Sequence, residues 1–118
     1  MTEPSAIAER DLLVASLEEH KAEDIISIDV SSSSPFFSIV VLATCPNPRA
    51  LGAIQGHLED VLAEHGIEVS VKEGEPDSGW VIIQGEEVIV HLLLAANRRM
   101  LELESLLEKI NAKFAPKE

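Results

Sequence analysis

The feature that most constrains the fold is a pair of β-branched and aliphatic runs, residues 80–84 and 87–94, separated only by Gly85-Glu86. Runs of this composition are typical of β-strands, and a two-residue loop with glycine first is typical of a type II′ hairpin turn. In a hairpin closed by such a turn, Gln84 is predicted to face Glu87 across the two strands. The segment therefore predicts two antiparallel neighbouring strands, around which the rest of the chain is organised.

The two faces of this predicted hairpin differ in composition. Side chains alternate across a strand, so Trp80 and His91 are predicted to share one face, opposite each other, with Ile82, Ile89 and Leu93. The other face is purely aliphatic and is predicted to be core; it consists of Val81, Ile83, Val88, Val90 and Leu92. The face with Trp80, which is the only tryptophan of the chain, is either core as well or the place where a partner docks.

Periodicity and capping signals predict six further elements. They are a helix over 5–20, a buried strand over 25–30, a central strand over 36–44, a helix over 47–66, an edge strand over 67–72 and a last helix capped by Asn97. Residues 73–79 are predicted to be a loop. The order α-β-β-α-β-β-β-α predicts an α+β (mixed α/β) fold, with a single five-stranded mixed sheet covered by helices. Residues 1–118 are predicted to be a single domain, with a core over about 5–112 and a frayed tail over 113–118.

Individual residues in these elements carry more specific predictions. Asn47 is predicted to cap the second helix and Gly66 to end it. Gly52 and Gly56 either allow a close approach to the sheet or are simply tolerated. In the last helix, Arg98 is predicted to face water. The predicted buried positions are Ile7, Leu13, Val14 and Leu17; Phe37, Ile39, Val41 and Ala43; Leu51, Ile54, Leu58, Val61 and Leu62; and Leu103, Leu106, Leu107 and Ile110.

The charge of the chain narrows the classes of partner. Nine Lys and Arg against 21 Asp and Glu give a formal net charge of −12, so the surface as a whole repels nucleic-acid phosphate. A basic protein surface is the more natural partner, unless the charge serves only solubility. The longest apolar run, residues 88–96, is too short to span a bilayer, and the acidic N-terminus does not read as a targeting signal. These features predict a soluble cytoplasmic protein without a membrane partner.

The sequence carries few signals of catalytic chemistry. His20, His57 and His65 are expected in solvent, and His91 is expected to be a hydrogen-bonded core or interface group. Cys45, the only cysteine, lies just ahead of a helix N-terminus, where a thiol pKa can fall, but no base is spaced to assist it. The zinc, dinucleotide and phosphate-loop motifs HExxH, GxGxxG and GxxxxGK[ST] do not occur. The sequence therefore predicts a binding protein with no catalytic residue, no metal and no cofactor.

A further set of short segments is spread in order over residues 7–108. It consists of KAEDIISIDV at 21–30, Thr44 with Arg49, EGE at 73–75, GWVII at 79–83, EVIVH at 87–91, and Arg98-Arg99 followed by Leu103-Glu104. This ordered set resembles the ribosomal silencing factor (Iojap) family. The chain departs from the usual residues of that family at Ser38, Cys45, 84–87, Leu101 and Leu107.

The resemblance implies a fold, a partner and a contact surface. The fold would look like a nucleotidyltransferase that has lost its catalytic residues. The partner would be the large ribosomal subunit, bound through its fourteenth protein on the face that meets the small subunit, so that subunit joining is blocked and translation is repressed under nutrient limitation. No sequence-specific contact with nucleic acid is implied. The residues expected near the contact are Trp80, Glu87, His91, Arg98, Arg99 and Leu101.

Other interpretations of these residues remain open. Trp80 could fill volume in the core, and Arg98-Arg99 could be a solvated first helical turn, although the helix dipole disfavours cations there. The face with Trp80 could also pair with its own copy, which predicts a homodimer. A small nucleotidyltransferase-like enzyme would need nucleotide and Mg²⁺ sites, and the scattered carboxylates argue against it.

Overall fold

A computed structural model of the chain describes residues 4–32 and 37–101, and within this part five strands form one mixed sheet. The elements are α1 (Pro4–Glu19), β1 (Glu23–Asp29), β2 (Ile39–Cys45), α2 (Pro48–Glu64), β3 (Val71–Glu75), a 3₁₀ turn (Pro76–Ser78), β4 (Trp80–Gln84), β5 (Val88–Leu94) and α3 (Ala95–Leu101). The predicted order of elements and the predicted fold class are confirmed. The predicted positions Phe36, Leu103, Leu106, Leu107 and Ile110 and the tail over 113–118 lie outside the described residues.

The strands lie in the order β1-β2-β5-β4-β3, with β2 and β5 parallel and every other pair antiparallel. All seven residues of β2 are buried, so its predicted central position is confirmed. The prediction that β1 is a buried strand is wrong, because β1 pairs only with β2 and none of its seven residues is buried. An apolar run such as 25–28 is compatible with an edge strand when a helix covers only one of its faces.

Helices α1 and α2 pack on one face of the sheet. This face carries the aliphatic side of the β4–β5 hairpin, and the predicted core of Val81, Ile83, Val88, Val90 and Leu92 is confirmed. From the helices it buries Ala6, Leu13, Leu17, Leu51, Ile54, Leu58 and Leu62. Ile7 is 38% exposed, so its predicted burial is wrong. A Cβ at Gly52 would contact the side chain of Pro76 in the 3₁₀ turn, and a Cβ at Gly56 would have no neighbour within 4 Å, so neither glycine makes room for the sheet.

The other face of the sheet holds a second, smaller apolar cluster. Its buried members are Val30, Val40, Leu42, Ile89 and Leu93, against which Ile28, Phe37, Trp80 and Ile82 pack while partly exposed. The prediction that Phe37 shares a face with Ile39 is wrong, because β2 begins at Ile39 and the chain before it does not alternate as a strand.

The ends of α2 follow the predicted capping chemistry. The side chain of Asn47 accepts a hydrogen bond from the Ala50 amide at 2.8 Å, and Pro48 occupies the first helical position. Gly66, just after the C-cap His65, has a φ of +70°, which glycine adopts without strain.

The predicted hairpin exists, but its register differs from the prediction by two residues. Gln84 pairs with Ile89 instead of Glu87, and Trp80 pairs with Leu93 instead of His91. The Gly85 amide donates to the Val88 carbonyl at 3.0 Å, so the turn closes around Glu86-Glu87, one residue later along the chain than the predicted Gly85-Glu86. Since side chains alternate with a period of two, a shift of two leaves every side chain on its predicted face.

Two further boundaries differ from the sequence prediction. Strand β3 covers Val71–Glu75, so part of the predicted loop 73–79 is strand and the predicted start at Ile67 is wrong. Helix α3 begins at Ala95, so Asn97 lies within the helix and does not cap it. Its side-chain amide donates to the Ser78 carbonyl at 3.2 Å and ties the helix to the 3₁₀ turn.

Candidate functional site

Trp80 and His91 form a hydrogen-bonded pair on the second face of the sheet. The indole Nε1 donates to Nδ1 of His91 at 3.0 Å, and the two ring centroids are 5.9 Å apart. An indole N–H can only donate, so Nδ1 has to be the unprotonated acceptor. Burial lowers the pKa of His91 to about 4. The pair is therefore uncharged at neutral pH and offers an apolar, partly exposed surface, not a cation or a general base.

Two glutamates of β3 extend this surface. Glu73 pairs with Ile82 and Glu75 with Trp80, and residues directly opposite each other on antiparallel strands share a face. Both glutamates are exposed, while Trp80 and Ile82 are partly exposed. A groove of about 330 Å³ lies beside them, lined by Glu73, Gly74, Ser78, Trp80, Ile82 and Asn97. We call the surface formed by Glu73, Glu75, Trp80, Ile82 and His91 the Trp80 surface.

Sequence reasoning did not assign Glu73 and Glu75 to the site because it predicted a loop over 73–79. Two signals were present: the segment EGE at 73–75 belongs to the set that carries the family resemblance, and the spacing of two residues places both glutamates on one face when the strand continues through them.

Glu87 lies at the other end of the hairpin. Along the chain Glu87 precedes Leu93, the cross-strand partner of Trp80, by six residues. At the rise of an extended strand, this spacing places Glu87 roughly 20 Å from Trp80. The Ser38 hydroxyl donates to Oε2 of Glu87 at 2.8 Å, and the Ser38 amide donates to the Glu87 carbonyl at 2.7 Å. The structure therefore brings Trp80 and His91 together but does not bring Glu87 into the same cluster.

The turn that carries Glu87 is held by Glu9 of α1, which sequence reasoning missed. One Glu9 carboxylate oxygen accepts from the amides of Glu86 and Glu87 at 3.3 and 3.2 Å, and the other accepts from the amides of Glu87 and Val88 at 3.3 and 2.9 Å. Glu9 is only 3% exposed. Burial raises the pKa of this carboxyl, and the three amides oppose that shift. Nothing in the sequence distinguishes Glu9 from the other acids of the chain.

Arg98 is buried and faces the protein interior. It is 8% exposed, and its Nη1 donates to the Asp24 carbonyl at 2.6 Å and to the Thr44 hydroxyl at 2.8 Å. The prediction that Arg98 faces water is therefore wrong, because the acceptors are backbone and hydroxyl groups of β1 and β2 that no helical pattern indicates. Arg99 and Leu101 belong to α3, but their side chains lie outside the described part of the chain.

In the part of the chain that the structure describes, the remaining titratable side chains are not arranged as a catalytic constellation. His57 and His65 are exposed as predicted, while His20 is partly buried and stacks on His57 with 3.6 Å between ring centroids. Burial raises the pKa of the Cys45 thiol to about 11, so the fall that its position ahead of α2 suggested does not occur. Within residues 4–32 and 37–101, no three His, Cys, Asp or Glu side chains are grouped to hold a metal ion, and no helix is long and apolar enough to cross a membrane.

The chain is similar to named proteins over most of its length. The profile of a family described as ribosomal silencing factor during starvation matches residues 3–117. A ribosomal silencing factor of Chromobacterium violaceum is 30% identical over 95 residues, which are 80% of this chain and 78% of that protein. The factor of Haemophilus influenzae is 26% identical over 96 residues, which are 81% of this chain and 94% of that protein.

Two crystal structures share the fold. The structure of a Chromobacterium violaceum protein has a TM-score of 0.83 at 28% identity and covers 87% of this chain and 86% of its own. The structure of a Bacillus halodurans protein has a TM-score of 0.77 at 26% identity, and the match covers 85% of this chain and 93% of that protein's chain.

Proposed function

Because this chain belongs to the ribosomal silencing factor family, we propose that it binds the large ribosomal subunit and blocks its association with the small subunit. Binding would go through the fourteenth protein of the large subunit and would repress translation when nutrients are limiting. The protein would act in the cytoplasm by occupying a surface, without catalysing a reaction.

The observation that carries this proposal is the composition of the Trp80 surface. An aromatic side chain beside apolar and acidic neighbours is the arrangement from which protein interfaces obtain much of their binding energy. Trp80 and Ile82 would supply the apolar contact, and Glu73 and Glu75 an acidic rim. With a net charge of −12, the chain complements a basic ribosomal protein and disfavours a direct contact with ribosomal RNA.

The other predicted contact residues would contribute in different ways. Glu87 would form a second contact at the far end of the hairpin, roughly 20 Å away. The buried guanidinium of Arg98 would act indirectly, by tying β1 and β2 to α3. Arg99 and Leu101 remain proposed contact residues from the family resemblance alone.

The experiment that tests the proposal is co-sedimentation of the purified protein with isolated large subunits, followed by addition of small subunits. We expect stoichiometric binding that weakens as salt rises, and a smaller fraction of joined subunits. Glu73→Lys should weaken binding by about tenfold, because it reverses a charge at the proposed rim.

Glu64→Lys is the matched control. Glu64 is also exposed, but it lies on α2, on the opposite side of the sheet. Its reversal should leave binding within about twofold of the unchanged protein, because only a rim charge meets the partner. Equal losses in the two variants would indicate that net charge alone drives binding. Absence of binding by the unchanged protein would contradict the proposed function, and a concentration-dependent mass would then point to a homodimer.

A further inference from the structure

The β4–β5 turn, residues 85–87, is built around a carboxylate that belongs to another element. Three consecutive amides, those of Glu86, Glu87 and Val88, converge on the Glu9 side chain from α1. We propose that Glu9 is a positioning residue of the contact surface, which fixes this turn in the conformation that presents the Glu87 carboxylate. This inference rests on the proposed function, since it assigns Glu9 a role in the same partner contact.

The turn depends on the Glu9 acceptor. The amides of Glu86, Glu87 and Val88 donate to Glu9, and the bond from Val88 is buried. A buried N–H group without an acceptor is costly. A carboxylate satisfies all three because it has two oxygens and accepts without donating. It does so despite its burial and the nearby negative charge of Glu86, both of which oppose ionisation of Glu9. Such a costly arrangement indicates that the amides require this acceptor.

The Glu9 carboxylate also restricts the space beside Gly85. A Cβ added at Gly85 would lie 2.7 Å from Oε2 of Glu9 and 3.2 Å from a methyl group of Ile67. A side chain at position 85 would therefore displace the Glu9 carboxylate, which occupies that space. A positive φ is not the reason, since the glycines with positive φ are Gly66, Gly74 and Gly79.

Glu87 is held by both Glu9 and Ser38. The Glu87 amide bonds to both carboxylate oxygens of Glu9, while its carbonyl accepts from the Ser38 amide and its carboxylate from the Ser38 hydroxyl. Glu87 is thus clamped between α1 on one side and the start of β2 on the other. Loss of the Glu9 acceptor removes the side of this clamp that holds the Glu87 amide, so that only the bonds to Ser38 still position Glu87.

The experiment is a double-mutant cycle on binding to large ribosomal subunits, with Glu9→Gln, Glu87→Gln and the double variant. Glutamine nearly preserves the size of Glu9, but its NH₂ group turns a donor toward one of the amides. We expect Glu9→Gln and Glu87→Gln each to weaken binding about tenfold. The double variant should bind no more weakly than Glu87→Gln alone. Glu18→Gln removes the same charge from an exposed position of α1 and should leave binding unchanged.

The exchange rates of the Glu86, Glu87 and Val88 amides supply a measurement that does not need the partner. Glu9→Gln should accelerate the exchange of these three amides while amides in β2 stay protected. If Glu9→Gln does not fold, Gly85→Ala replaces it in the same cycle, since it displaces the carboxylate and keeps the charge.

Three outcomes would overturn the inference: unchanged binding by a folded Glu9→Gln protein, additive losses in the double variant, or unchanged exchange of the three amides. Failure of the unchanged protein to bind would instead contradict the proposed function. The proposed role of Glu9 in the partner contact would then fail as well. The exchange rates would then still report whether Glu9 holds the turn.

Discussion

The indole nitrogen of Trp80 and Nδ1 of His91 are 3.0 Å apart, and the indole is the donor. This hydrogen bond exists only while Nδ1 is unprotonated, so the neutral ring carries its proton on Nε2. Burial favours the same uncharged form and lowers the pKa of His91 to about 4. Protonation of His91 should therefore break the contact between the two rings.

The first prediction uses Trp80 as the reporter of this protonation. The chain has one tryptophan and no tyrosine, so its tryptophan fluorescence reports the environment of a single indole. We expect the emission to change in one step centred near pH 4, and the step to be absent in His91→Gln. Far-UV circular dichroism recorded alongside distinguishes this step from unfolding. A midpoint near 6.5, the ordinary pKa of histidine, would contradict the burial that we assign to this ring.

The second prediction concerns the free energy of unfolding as a function of pH. His91 has a pKa of about 4 in the folded chain and of 6.5 when unfolded, so between these values the unfolded state binds more protons. The contribution of neutral His91 to the free energy of unfolding is therefore fully present above pH 6.5, and it falls as the pH drops toward 4. For His91 alone we expect a loss of about 2 kcal/mol between pH 7 and pH 5.

Urea unfolding of the unchanged protein and of His91→Gln at both pH values isolates this contribution. Glu9 contributes with the opposite sign, because its raised pKa makes the folded state hold its proton more tightly, and that stability is lost as the pH rises above 4.5. The Glu9 contribution cancels in the difference between the two proteins. An equal pH dependence in both would show that His91 does not couple to folding.

The hairpin shows which part of the structure the sequence could predict. The faces were predictable because alternation has a period of two, and it survived a register error of two residues. The register itself was not predictable, since the turn is shaped by Glu9, a residue almost eighty positions away. Arg98 was misplaced for the same reason, because its acceptors are the Asp24 carbonyl and the Thr44 hydroxyl. Contacts between distant segments leave no local pattern in a single sequence.

The third prediction is that Arg98→Ala strongly destabilises the fold. The buried guanidinium donates to Asp24 and Thr44 and so joins α3 to β1 and β2. Its removal leaves the buried Thr44 hydroxyl and the partly buried Asp24 carbonyl without these donors, and we expect a loss of roughly 2–4 kcal/mol in the free energy of unfolding. Arg49→Ala, at an exposed position of α2, should change that free energy by no more than about 0.5 kcal/mol. Similar urea midpoints for the two variants would contradict the structural role of Arg98.

The fourth prediction compares the same substitution, glycine to alanine, at two positions. At Gly85 the added Cβ would lie 2.7 Å from the Glu9 carboxylate, so either the carboxylate or the turn has to move. Displacement of Glu9 weakens its bonds to the amides of Glu86, Glu87 and Val88. We therefore expect Gly85→Ala to lower the free energy of unfolding by about 1–3 kcal/mol.

Gly56→Ala is the control, and its expected effect on the free energy of unfolding has the opposite sign. Gly56 lies inside α2, and nothing lies within 4 Å of the position that its Cβ would take. Alanine at this position reduces the conformational freedom of the unfolded chain and introduces no clash. We therefore expect Gly56→Ala to raise the free energy of unfolding by about 0.5–1 kcal/mol. Thermal or urea unfolding of both variants measures the difference. If the two substitutions shift the midpoint in the same direction, the Glu9 carboxylate does not occupy the space beside Gly85, and the clamp on the turn is not what sets the hairpin register.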